Sequence, residues 1–65
     1  MELLEKLKKE RKDLDHRLFK LKKMIEDPDG SITSRQYDLM RRQSIDMRQV
    51  INDLDARIQD LEMNY

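Results

Sequence analysis

The residues best equipped for recognition chemistry are arginines. The second half of the chain carries Arg35, Arg41, Arg42, Arg48 and Arg57 and no lysine. A guanidinium presents a planar fork of donors that suits phosphate, whereas an ammonium is a point charge. Arg17, Lys20, Lys22 and Lys23 fall near the same end as Arg41 and Arg42, so a local basic cluster is available. The 14 basic residues are balanced by 14 acidic ones, which removes strong basicity as an argument for binding a DNA or RNA polymer. Taken alone, these charges also read as the solvated face of a helix. Catalytic chemistry has little to work with. His16 is the single histidine, cysteine is absent and Gly30 is the single glycine. That leaves no thiolate or histidine metal site, no phosphate-cradling glycine loop and no nucleophile–base pair. The expectation is a protein that is not an enzyme and uses no cofactor and no metal.

Positioning falls to two apolar ladders. Leu4, Leu7, Leu14, Leu18, Leu21 and Ile25 recur at alternating steps of three and four, with Arg11 filling one rung. Tyr37, Met40, Met47, Ile51, Leu54, Ile58, Leu61 and Tyr65 do the same, with Ser44 filling one rung. A repeat of 3.5 residues describes a helix that seeks a helical partner along its length. The break at Asp27-Pro28-Asp29-Gly30 is abrupt: Pro28 disfavours helical geometry at Asp27, and Gly30 admits a left-handed turn. Thr33 with Gln36 reads as a capping box, and Ile32 with Tyr37 as a hydrophobic staple. Residues 1–65 are therefore expected to form one all-α unit. It is an antiparallel two-helix hairpin, coiled-coil-like, with helices over about 2–27 and 34–63 and a turn at 28–33.

With Leu4 and Tyr37 taken as a positions of the heptad, cross-hairpin neighbours follow. Lys8 is expected near Asp55, Asp15 near Arg48 and Lys22 near Arg41 on one flank; Glu10 near Arg57 and Arg17 near Gln43 lie on the other. Arg11, a charge on the seam, is either a device that fixes register or a ligand contact. Apolar residues off the seam are a further clue. Phe19 and Ile45 share b positions on one side, and Leu3, Met24 and Val50 widen the other. A chain this short buries only about 60% of the surface its unfolded form exposes. Self-association into a homo-oligomeric helical bundle through these residues is the expected remedy. No apolar run reaches membrane-spanning length and the first residues lack a signal-peptide core. A soluble, cytoplasmic protein without a membrane partner is expected.

The stretch Glu10–Ile25 (ERKDLDHRLFKLKKMI), followed by Gln43, Met47, Leu54, Arg57 and Ile58, resembles a family of very short helical-hairpin proteins of crAss-like and other bacteriophages. Val50 stands where that family often carries an aromatic residue. The resemblance implies a phage accessory protein, and small phage hairpins of this kind include oligomeric sponges for the nucleotide signals of bacterial immunity. On that basis the expected ligand is a cyclic oligonucleotide or an ADP-ribose-type signal in the host cytoplasm. Arg11, Arg17, Arg48 and Arg57, with Arg41, would contact phosphate; Gln43 would read a base edge and Tyr65 would stack. The competing expectation is a structural or adaptor hairpin whose Phe19/Ile45 face takes a host or phage protein helix.

Overall fold

A computed structural model describes residues 1–28 and 30–64. Two helices make up the fold, α1 over Glu2–Glu26 and α2 over Ser34–Asn64, and no strand occurs among the described residues. They pack against each other as a helical hairpin 49 Å long and 14 Å across. The length is that of α2 itself, since 31 residues at 1.5 Å each span about 46 Å.

The seam is made by the ladders. Every described ladder residue is buried or half-buried, and Ile32 is the only other described residue withdrawn from solvent. Among the described residues full burial is confined to Leu7, Leu18, Ile51 and Leu54. Two helices close a single seam and leave its edges open, so the remaining rungs stay half-covered. Ser44 meets its own needs on this seam: its Oγ donates to the Arg41 carbonyl at 2.7 Å, the back-bonding that lets a hydroxyl sit within a helix.

The turn differs in detail from its sequence reading. Asp27 closes α1 with φ −133° and ψ 72°, its N–H donating to the Lys23 carbonyl at 3.1 Å. Gly30 does not adopt a positive φ, and a Cβ there would meet nothing within 4 Å. The left-handed turn expected at Gly30 is therefore not used; Pro28 and the extended Asp27 already redirect the chain. Only half of the capping box forms. Gln36 N donates to Thr33 Oγ1 at 3.1 Å, while no return bond from the Gln36 side chain is made among the described residues. Ile32 and Tyr37 are both half-buried and line one open recess with Ile25, the arrangement of the staple. At the far end Asn64 Nδ2 donates to both the carbonyl and the carboxylate of Asp60, each at 2.8 Å, tying the last turn to the one before it.

Candidate functional site

Register comes first, because it decides which side chains meet. Arg11 Nε donates to Asp55 Oδ1 at 2.7 Å across the seam, and Lys8 Nζ lies 3.3 Å from Glu62 Oε1. The expected pairing of Lys8 with Asp55 is thus replaced. An e position in an antiparallel pair lies between two e positions of the opposite helix, one heptad apart. Arg11, reaching out from its a position, takes the nearer carboxylate, and Lys8 turns to the next one. Of Arg11's two sequence readings, the register device is the one its geometry serves. The hydrogen bond that Arg11 donates to Asp55 and then the charge of Asp55, opposed by desolvation and aided by the charge of Asp15, raise the Arg11 pKa. The guanidinium therefore stays charged across the working pH range.

Of the other expected neighbours, Asp15 and Arg48 line one recess together without closing a contact. Neither Asp15 with Arg48 nor Glu10 with Arg57 makes an ion pair among the described residues, and Arg17 and Gln43 share no hydrogen bond there. Lys22 has Arg48 and Ser44 for neighbours along one recess, and Arg41 is not part of its lining. Along α1 the exposed Glu2–Lys6 pair closes at 3.7 Å, a contact worth little in water.

Around this register the candidate ligand residues separate. Call the flank of Lys8, Asp55 and Glu62 the e flank and its opposite the g flank. Arg41 and Arg48 belong to the e flank, where Arg11 also leans. Arg17, Gln43 and Arg57 belong to the g flank by their heptad positions, and all five of these flank residues are exposed. Tyr65 lies outside the described residues. No single recess within one hairpin collects the set.

The e flank nevertheless holds a defined arrangement. Two shallow recesses meet there, one lined by Asp15, Leu18, Phe19, Lys22 and Arg48, the other by Lys22, Ser44, Ile45, Arg48 and their α2 neighbours. Lys22 and Arg48 are common to both, and neither makes an ion pair among the described residues. Phe19 and Ile45, 56% and 58% exposed, border them from the two helices. Lys23 Nζ sits 4.7 Å from the Phe19 ring centroid, a cation–π contact. Two like charges side by side with Asp15 as their nearby counter-charge favour an added anion. Lys22, counted in the basic cluster and expected near Arg41 but not placed among the ligand residues, stands beside Arg48. Its e position, shared with Arg48, was the available signal, but only the register shows the two as neighbours.

Among the described residues no group of acidic, histidine or cysteine side chains is arranged to hold a metal, and no helix is long and apolar enough to cross a membrane. The family model Sequestin matches residues 1–60, and the chain belongs to that family. The resemblance carried by Glu10–Ile25 and by the Gln43–Ile58 spacing agrees with this membership, and the family name places the chain among proteins that sequester or bind. No curated protein and no solved structure matches it.

Proposed function

We propose that this member of the Sequestin family is a phage-encoded, non-enzymatic homo-oligomer that withholds a phosphate-bearing nucleotide signal, of the cyclic oligonucleotide or ADP-ribose type, from host anti-phage defence. The observation that carries the reading is the Lys22–Arg48 pair, two unspent cations set between Phe19 and Ile45. Such a place offers charge to phosphate and an aromatic or aliphatic surface to a base. Withholding a signal needs affinity and copy number only, so a small surface repeated by assembly is sufficient. Arg11, Arg17, Arg41, Arg57 and Gln43 add donors from positions that one hairpin cannot bring together, and Tyr65 adds a ring; contact by all of them requires several copies. Action in the host cytoplasm is part of the same proposal.

Titration calorimetry against cyclic di- and trinucleotides and ADP-ribose derivatives tests it. Binding at micromolar affinity or tighter is expected, with at least a tenfold loss in Arg48→Ala at unchanged light-scattering mass. No heat with any of these ligands would overturn the reading. One observation favours an alternative: Phe19 and Ile45 are more than half exposed on one side, as a face that docks a protein helix would be. Under that adaptor reading Phe19→Asp abolishes capture of the partner protein while nucleotides remain without effect.

A further inference from the structure

The two recesses that meet at Lys22 and Arg48 are unlike in size and lining. Beside the shared pair, the larger, about 430 Å³, is walled by Ser44, Ile45, Gln49 and Asn52 of α2. That volume falls within the ~300–1,000 Å³ of small-molecule sites. The smaller, about 180 Å³, is walled by Asp15, Leu18 and Phe19 of α1 and has room for part of a ligand only. A molecule that fills both crosses the cation pair at its middle and not at its end.

The chemistry of the two sides agrees with this. In the smaller recess the Asp15 carboxylate repels a second phosphate, while it accepts from an amine or a hydroxyl. Phe19, 56% exposed, offers its ring to a base. Lys23, the next cation along α1, rests over that ring at 4.7 Å and lines neither recess. On the larger side the Gln49 and Asn52 amides are exposed and make no hydrogen bond among the described residues. An amide carries donors and an acceptor in one plane and no charge, which matches a base edge or a ribose hydroxyl. Beyond the shared pair, neither recess supplies a cation.

We propose that Lys22 and Arg48 take an internal phosphodiester, a single anion flanked by two uncharged nucleosides, one stacked at Phe19 beside Asp15 and the other read by Gln49 and Asn52. The inference rests on the nucleotide-sponge reading and narrows it. Every phosphate of a cyclic oligonucleotide is of this kind, with a nucleoside on either side. A mononucleotide ends in a phosphate of nearly two charges, and ADP-ribose carries two phosphates in tandem. Each leaves a charge to be placed in a recess that has no cation of its own to meet it. Gln49 and Asn52 thereby become specificity residues outside the arginine set.

Titration calorimetry on the full chain with cyclic di-AMP, cyclic di-GMP, AMP, GMP and ADP-ribose tests this order. The better of the two cyclic dinucleotides is expected to bind at least tenfold tighter than its own mononucleotide and than ADP-ribose. Asp15→Asn is expected to narrow the margin over the mononucleotide at least threefold. The double variant Gln49→Ala/Asn52→Ala is expected to weaken the cyclic dinucleotide at least tenfold, at unchanged helicity and scattering mass. Equal or tighter binding of AMP, GMP or ADP-ribose, an unchanged margin in Asp15→Asn, or full affinity in the double variant would each overturn the inference and leave the sponge reading standing. If neither cyclic dinucleotide binds, the inference falls, and the wider panel of cyclic trinucleotides and ADP-ribose derivatives then decides the sponge reading by itself.

Discussion

At the scale of single residues, Arg11 shows how a polar rung is accommodated. It sits half-buried on the seam and sends its Nε to Asp55, whose side chain is about half exposed. Solvent reaches both partners, so the bond competes with water and adds little stability. Its larger effect is selective: a slip of the helices would separate the charge from its carboxylate. Arg11→Leu would complete the ladder opposite the Leu54 region with an apolar side chain. The urea midpoint is expected to rise, and a fall would show that the Asp55 bond outweighs apolar filling. The identity of Arg11 as a seam residue was plain from its heptad position. Its partner was not, because several carboxylates of α2 lie within one heptad of the expected height.

At the scale of elements, the second helix depends on its start. Thr33 accepts the Gln36 N–H, and the Thr33 carbonyl accepts the Tyr37 N–H at 2.9 Å. Without the missing half of the capping box, the Thr33 hydroxyl is the side-chain acceptor at this end. Thr33→Ala is expected to cost about 1 kcal/mol in chemical denaturation, while Thr33→Ser should retain nearly all of the wild-type stability. Equal losses in the two variants would point to the threonine methyl and not to the cap. The helices themselves were legible: strong periodicity, the Pro28 break and the Thr33 signal are local features of the chain. The closing geometry was less so, since a glycine permits a left-handed turn without requiring one.

At the scale of the whole molecule, the described residues include four buried side chains to stabilise a chain of 65 residues, and the off-seam apolar residues Leu3, Phe19, Met24, Ile45 and Val50 remain exposed. Folding and association are therefore expected to be coupled, with a melting temperature that rises with protein concentration. Circular dichroism melts over a hundredfold dilution check this; a constant midpoint together with a scattering mass of 8.0 kDa would show a self-sufficient hairpin. Ile51→Ala, at the most completely buried position, should cost about 2–5 kcal/mol and so remove most of the cooperative transition.

The sequence by itself determined the hairpin and its seam, because a 3.5-residue period specifies which face each helix must hide wherever the partner lies along it. It also placed Arg17, Gln43 and Arg57 on one flank and Arg41 and Arg48 on the other, which follows from heptad position alone. Only the tertiary structure decided the axial register, and with it that Arg11 meets Asp55, that Lys8 meets Glu62 and that Lys22 stands beside Arg48. The physical reason is that a heptad pattern repeats: sliding one helix by seven residues hides the same face again. The choice among those slides belongs to the turn and to the few charges that find partners across the seam.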